Sequence, residues 1–371
     1  MKILVIASFA DSLVNFREPL LIAFQSKGMQ VHVVAPNLYE NKKVVERLSE
    51  LGFVTHSIEM SRTGTNPIAD MFTFWELWRL MRHVQPTYVL SYTIKPVIYG
   101  SLAAWFAGVP HRFALITGVG YAFQESIGVS YGLGRLIRYL YRHALRCTHR
   151  IFFQNIDDQV LFRSLNLISK DKPSTVVNGS GVDVSAFPMV SLPSEVHFLL
   201  IARLLKSKGV REYALAAQRV RKLFPETRFS LVGWIDENPD AISQKELDQW
   251  IEAGTLNFLG RMLDVKPALT ACSVFVLPSY REGTPRAVLE AMSMGRAIIT
   301  TDAPGCRETV CDGDNGFLIP VKSVDALVNA MICFIEDKEL SPRMGIRSRK
   351  LVEEKYDVHK VNDVILKEMG L

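Results

Sequence analysis

The sequence predicts two successive α/β domains, each a doubly wound, Rossmann-like parallel sheet, facing each other across a cleft. Three observations carry that prediction. At 371 residues the chain is too long for one ordinary core. Short β-branched runs alternate with longer amphipathic stretches, the pattern of parallel βαβ units. The alternation breaks at the turn-rich Asn178-Gly-Ser-Gly-Val-Asp183, with Pro188 and Pro193 beyond it, and then restarts. The domains are accordingly drawn over residues 1–185 and 186–356, with a C-terminal helix over about 357–371 packing back on the first.

In the first domain, strands are expected at Ile3–Ala7, Val31–Ala35, Phe53–Ile58, Tyr88–Ser91, Phe113–Ile116, Ile151–Phe153 and Thr175–Val177. Helical stretches such as Phe16–Ser26, Ala69–Arg82 and Leu133–Arg146 lie between them. In the second domain the order is strand Val196–Ala202, helix Lys208–Leu223, strand Arg228–Val232, helix Ser243–Ala253 and strands Leu256–Phe258 and Val274–Leu277. Helix Pro285–Met294 and strand Ala297–Thr300 follow, and the chain is mainly helical from Ser323. Ligands of such domains bind at the carboxyl ends of the strands.

Composition excludes several classes. Hydrophobic content of 48% with 22% charged residues is that of a soluble globular protein, not a disordered one. The longest mostly apolar run, Val97 to Pro110, is shorter than the roughly 20 residues a bilayer span requires. The apolar N-terminus meets Asp11 and Asn15-Phe-Arg-Glu without a cleavage-type sequence, so it is expected to be a buried strand and not a signal peptide. Five cysteines, odd in number and without ligand spacing, point to reduced thiols in the cytosol. No nucleic-acid-binding module is recognisable. The net charge of +5 divides unevenly: residues 1–185 carry 19 Lys/Arg against 13 Asp/Glu, so the excess lies wholly in the first half.

The chemistry-bearing stretch is Glu282-Gly-Thr-Pro-Arg-Ala-Val-Leu-Glu290. Pro285 suits the first helical position, and Gly283 lets the backbone approach a ligand. The N–H groups and dipole at such a helix start hold an anion, above all a phosphate, with the two carboxylates available for hydroxyls. Taken alone, the motif fits equally an Arg286–Glu290 surface ion pair beside a solvated Glu282. Arg203, Lys206 and Lys208, on the loop after the first strand of the second domain, add cations able to neutralise a diphosphate. Two phosphate signals at corresponding strand ends support each other against the reading of a solvated basic loop. Metal chemistry has little support: Asp312-Gly-Asp314 reads as a turn before a short strand, and the histidines show no ligand spacing.

In the first domain, acceptor-binding candidates are Asn15 and Arg17 after strand one, Lys95 after strand four, and the backbone of Gly118 and Gly120. Each also fits an ordinary polar loop. Arg135, Arg138, Arg142 and Arg146 recur at three- and four-residue spacing beside Leu136 and Leu140, a basic amphipathic face suited to an anionic membrane. Phe72, Phe74, Trp75, Trp78, Arg79 and Arg82 form a second such stretch. The competing reading is a helix packed on the sheet with a solvated outer face.

Together, Arg203, Lys208, Glu282-Gly-Thr-Pro…Glu290 and Asp312-Gly-Asp-Asn-Gly316 resemble the retaining family 4 glycosyltransferases of GT-B fold, over nearly the whole chain. Ser61-Arg62…Asn66-Pro67, Tyr92-Thr-Ile-Lys-Pro-Val-Ile-Tyr-Gly100 and Ala114-Leu-Ile-Thr-Gly-Val-Gly-Tyr-Ala-Phe123 are similar to enzymes building O-antigen, capsule or N-linked glycans on undecaprenyl diphosphate. The resemblance implies a UDP-sugar donor, a polyprenyl-diphosphate-linked saccharide acceptor, no metal or other cofactor, and a place on the cytoplasmic face of the inner membrane. It assigns Arg203 and Lys208 to the donor diphosphate and Glu290 to the ribose. Glu282, with Gly283, Thr284, Pro285 and Arg286 beside it, is assigned to the donor sugar and phosphates. Similarity of Gly233-Trp-Ile-Asp-Glu-Asn-Pro239 to a bacterial N-acetylgalactosaminyltransferase makes that sugar the first choice. Where many members carry a histidine after strand four, this chain has Thr93 and Lys95, and Lys95 is assigned to the acceptor's diphosphate. The alternatives are a UDP-N-acetylhexosamine 2-epimerase of the same architecture and a non-catalytic saccharide-binding protein.

Overall fold

A computed structural model describes residues 1–61, 66–118 and 131–371, the side chains of 131–133 excepted. The chain divides into two units, Met1–Ser180 with His359–Leu371, and Gly181–Val358. The second unit begins ahead of residue 186 because Val182 is already tied to its far end. Its N–H donates to Tyr356 O at 2.9 Å, and its carbonyl accepts from Val358 N at 3.0 Å.

Among the described residues, the first unit holds seven parallel strands: β1 (Lys2–Ile6), β2 (Gln30–Pro36), β3 (Val54–Ile58), β4 (Tyr88–Tyr92), β5 (His111–Ile116), β6 (Arg150–Phe153) and β7 (Ser174–Val176). Their order is 3-2-1-4-5-6-7, so the direction of winding reverses between β1 and β4. Residues alternate across β1. Ile3 and Val5 pack on one side with Leu21 and Phe24 of α1 (Asp11–Ser26) and Leu48 of α2 (Lys42–Glu50), and Leu4 and Ile6 on the other with Leu77 and Met81 of α3 (Pro67–Val84) and Ala103 of α4 (Ser101–Phe106). A strand buried on both faces needs apolar residues throughout, which explains its continuous hydrophobic run. Val361, Ile365, Leu366 and Met369 of the C-terminal helix (Val358–Met369) join the α1 side, and Glu368 pairs with Arg150 at 2.5 Å. The start of α3 is set locally: Asn66 Oδ1 accepts from Ile68 N at 3.1 Å, and Pro67 follows.

The second unit holds six parallel strands among the described residues: β8 (His197–Ile201), β9 (Arg228–Val232), β10 (Asn257–Phe258), β11 (Val274–Leu277), β12 (Ala297–Thr301) and β13 (Gly316–Ile319). Their order, 10-9-8-11-12-13, reverses between β8 and β11. Phe198 and Leu200 face Tyr213 and Ala217, whereas Leu199 faces Leu289, Met292 and Val352, so helices cover both faces here too. In each unit the reversal opens the two central strand ends to a ligand.

Candidate active site

The second-unit site is built by the loops after β8, β11 and β12. After β8 the chain makes a 3-10 turn at Lys206–Lys208, then enters the helix Val210–Leu223 through Gly209. Gly209 has φ +70°, and a Cβ there would lie 2.1 Å from the carbonyl oxygen of Pro278. Only glycine lets this loop rest on the chain leaving β11. The helix consequently starts two residues after the expected Lys208. The contact is reinforced by Tyr280 N and Ser279 Oγ, which donate to Ser207 O at 2.9 and 3.1 Å. From the other side, Asp240 Oδ2 accepts from Ser207 N at 3.0 Å.

Adjacent strand ends thus bring together residues far apart in sequence. Lys208 Nζ donates to Glu282 Oε1 at 2.5 Å, both side chains being largely buried. Arg203 Nη1 donates to Asp236 Oδ2 at 2.9 Å while its side chain stays about a third exposed, at 35%. Glu282 is anchored through its backbone, its N–H donating to Pro304 O at 2.9 Å. Cys306 is fully buried, and burial, then the Glu282 charge, pushes its thiol up to about 12.

The helix Arg286–Ser293 begins one residue later than expected, because Pro285 has extended ψ (106°) and serves as its N-cap. Gly283 and Thr284 lie in the irregular chain just before it. The i,i+4 pair that sequence alone allowed does form, Arg286 Nε to Glu290 Oε1 at 2.8 Å, but Glu290 is no surface residue. Its side chain is 13% exposed, and burial raises its pKa while Arg286 opposes the shift. A carboxylate in this state gains from accepting further hydrogen bonds, as from a pair of ribose hydroxyls. Asp312 and Asp314 are turn residues. Asp312 Oδ1 accepts from Leu318 N at 2.8 Å, and Asp314 accepts from Arg347 at 2.8 Å. No group of three or more acidic, His or Cys side chains fit for a metal occurs among the described residues.

In the first unit the predicted acceptor residues are scattered. Asn15 is exposed on α1. Arg17 turns inward, its guanidinium 5.1 Å above the Tyr92 ring, and Tyr92 Oη in turn meets Ser12 Oγ at 2.7 Å. Lys95 Nζ donates to Asp70 Oδ1 at 2.7 Å, and Tyr99 Oη donates to the other oxygen of that carboxylate at 2.8 Å. Thr93, between them and β4, has φ +71°, a costly conformation for a β-branched residue that clusters at functional sites. Gly118 has φ +134°, and Gly120 lies outside the described residues. The arginine row on α5 (Tyr131–Arg146) is uneven: Arg135 and Arg146 are exposed, whereas Arg138 and Arg142 are half-buried and Arg142 reaches the carbonyl of Leu165 at 3.5 Å.

Sequence reasoning missed Asp236, Asp240 and Asp70. The only local signal was the acid-rich stretch after β9, Asp236-Glu-Asn-Pro-Asp240. It does not reveal that one acid takes Arg203 and another the β8 loop.

Known proteins match both halves of the chain. Residues 191–351 match the family described as glycosyl transferases group 1, and residues 2–155 match glycosyl transferase 4-like domains. A Campylobacter jejuni N,N'-diacetylbacillosaminyl-diphospho-undecaprenol alpha-1,3-N-acetylgalactosaminyltransferase is 29% identical over 92% of this chain and 91% of its own. An Escherichia coli UDP-Gal:alpha-D-GlcNAc-diphosphoundecaprenol alpha-1,3-galactosyltransferase is 29% identical over 74% of this chain and 73% of its own. Among solved structures, sucrose-phosphate synthase from Thermosynechococcus elongatus superposes with a TM-score of 0.80 at 16% identity, covering 99% of this chain and 98% of that one. Anabaena HepE in complex with UDP gives a TM-score of 0.78 at 17% identity over the whole of both chains. With both halves matched by glycosyltransferase family models, the chain belongs to the family 4 glycosyltransferases of GT-B fold.

Proposed function

We propose that this hexosyltransferase moves a sugar, N-acetylgalactosamine first, from a UDP-sugar to a saccharide carried on undecaprenyl diphosphate, with retention and without a metal. The observation that carries the proposal is the Lys208–Glu282 contact beside Arg203: cations held at the strand ends where a donor diphosphate departs. In the transfer, the bond between the sugar C1 and the UDP oxygen breaks with its electrons leaving on the diphosphate. The acceptor hydroxyl forms the new C1–O bond on the same face and passes its proton to the departing phosphate oxygen. Arg203 and Lys208 stabilise the charge on the diphosphate. The buried Glu290 receives the ribose hydroxyls, and Gly283 and Thr284 lie along the donor. The alpha-linked products in the names of the C. jejuni and E. coli relatives support retention, because UDP-hexoses are themselves commonly alpha-linked.

The test is a screen of UDP-N-acetylgalactosamine, UDP-galactose, UDP-glucose and UDP-N-acetylglucosamine against GlcNAc-diphosphoundecaprenol, with the product linkage read by NMR. An acceptor-dependent alpha-linked product is expected. Conversion of a UDP-N-acetylhexosamine without acceptor would instead establish the epimerase, and no UDP release with any pair would leave only a binding protein.

The acceptor's lipid implies a peripheral position on the cytoplasmic face of the membrane. No helix among the described residues is long and apolar enough to cross a bilayer. Supporting the interfacial reading, α3 exposes Ile68, Met71, Phe72 and Trp75, and the adjoining helix Ser101–Phe106 exposes Trp105 and Phe106. Phe106 meets Phe74 edge-on at 5.7 Å, so the two helices share this apolar surface. On α5, Leu136 and Tyr139 are exposed together with Arg135 and Arg146. Aromatic and basic side chains on one surface are suited to anionic headgroups. At about 1 kcal/mol per arginine, Arg135→Gln with Arg146→Gln is expected to weaken binding to phosphatidylglycerol vesicles by roughly 30-fold, as read by co-sedimentation. A wild-type chain that ignores such vesicles at low salt would remove the membrane half of the proposal.

A further inference from the structure

Both cations assigned to the donor diphosphate already carry a carboxylate: Lys208 meets Glu282, and Arg203 meets Asp236. The two pairs differ in how firmly they are held. The side chains of Lys208 and Glu282 are 20% and 13% exposed, whereas those of Arg203 and Asp236 are 35% and 22% exposed. An ion pair that water reaches contributes little and opens readily. Among the described residues, Asp236 is the one partner of the Arg203 side chain, and it engages only Nη1 of the guanidinium.

Asp236 does not depend on Arg203 for its place. The chain leaving β9 rests on the end of β8: a Cβ on Gly233 would lie 2.0 Å from Ala202 O, an approach that only glycine admits. Residues 234–242 then run along the β8 loop. Leu204 N donates to Trp234 O at 3.0 Å, Lys206 N to Asp240 O at 2.9 Å, and Ile242 N to Leu204 O at 3.0 Å. Within the segment, Asp236 Oδ1 accepts from Asn238 N at 3.0 Å and Asn238 Oδ1 from Asp240 N at 2.9 Å, two turns closed by side chains. These bonds hold the carboxylate in position whether or not Arg203 stays on it. A fixed acid and a phosphate both claim the same guanidinium, so the acid opposes phosphate binding. That opposition has a use after transfer. Released UDP carries more negative charge than the diphosphate of a UDP-sugar, so cations that stabilise its departure also retain it, and product release limits turnover in many enzymes.

We propose that Asp236 is the exchange partner of Arg203: the guanidinium leaves it for the donor diphosphate and returns to it as UDP departs, so that Asp236 limits how tightly the site holds UDP. The inference rests on the reading of Arg203 as a ligand of the diphosphate. Lys208 keeps its buried carboxylate throughout, and the exposed pair is the one that opens.

The test is titration calorimetry of the full chain with UDP, beside a thermal melt of each variant. Asp236→Asn removes the charge, and Asp236→Ser does the same while keeping a short side-chain acceptor for the turn to Asn238. Each is expected to bind UDP roughly fivefold more tightly than the wild type, the worth of one partly screened ion pair. In an Arg203→Ala background the same substitutions are expected to change UDP affinity by less than about twofold, because the guanidinium in dispute is gone. Weaker UDP binding by the Asp236 variants would show that the acid orients Arg203 for phosphate, and would overturn the exchange. Unchanged affinity, an equal gain in the Arg203→Ala background, or failure of both variants to fold would overturn it as well. In all of these cases Arg203-dependent UDP binding by the wild type leaves the donor-site reading standing. If the wild type does not bind UDP, or Arg203→Ala binds it as tightly, that reading falls and the exchange falls with it.

Discussion

Arg203→Ala is expected to lower turnover by roughly 100-fold or more, the worth of about 3 kcal/mol for one contact to a developing oxyanion. The reason is positional. Arg203 leaves β8 at the strand reversal of the second unit, and its planar guanidinium is suited to paired phosphate oxygens. Asp236 holds it at 2.9 Å in a pair that is only partly buried, so a diphosphate competes with that carboxylate on even terms. The same exposure keeps the folding cost low, and Asp236 keeps its hydrogen bond from Asn238 N at 3.0 Å; a change within about 1 kcal/mol is expected. Arg203→Lys keeps the charge and loses the fork, so its activity is expected to fall between the two. Steady-state kinetics beside a thermal melt check both statements, and a folded Arg203→Ala enzyme with wild-type turnover would end this role for the residue.

Gly305→Ala is expected to damage stability and donor binding together. Gly305 has φ +78°, and a Cβ there would stand 2.3 Å from Glu282 O and 2.5 Å from Gly283 O. Those atoms belong to backbone, which cannot rotate away as a flexible side chain would. Glu282 is also tied to Pro304 O at 2.9 Å, so the push falls on the segment that presents Glu282 to Lys208. Left-handed strain together with overpacking costs about 2–4 kcal/mol, which for a unit of this size lowers Tm by roughly 5–15 °C. Gly313→Ala is the control. Gly313 has the same φ of +78° but nothing within 4 Å of its Cβ position, so it carries only the strain, about 1 kcal/mol. Calorimetry and the donor KM of both variants separate the effects. Equal losses in the two would show that contact with the Glu282 segment contributes nothing.

These two residues differ in how visible they were beforehand. Arg203 is conspicuous in sequence as a cation one loop after a buried strand. Gly305 is one glycine among 23, and nothing local marks it as the residue on which Glu282 rests. The same contrast runs through the chain. The strand expected at Ile3–Ala7 is Lys2–Ile6, and that expected at Val274–Leu277 has those bounds, because a central parallel strand must be apolar on both faces and so declares itself in any short window. Helix starts shifted by a residue or two at Lys208 and Pro285, where one backbone angle, of Gly209 or of Pro285, decides the boundary.

Partnerships could not be read in this way. Lys95 meets Asp70 from 25 residues away, Arg203 meets Asp236 from 33, and Lys208 meets Glu282 from 74. Each pair depends on which strands are neighbours, and hydrophobic period says nothing about that order. By itself, the sequence determined the alternation of elements, the break near residue 180, and the residue types that stand after the second-unit strands, because propensity, burial pattern and turn chemistry act over a few residues. Only the tertiary structure decided that Arg17 is turned onto Tyr92 and that Glu290 is a buried carboxylate paired with Arg286. The physical reason is the strand order: placing β1 beside β4 and β8 beside β11 brings distant loops to one sheet edge, and which groups then touch is a property of the whole fold.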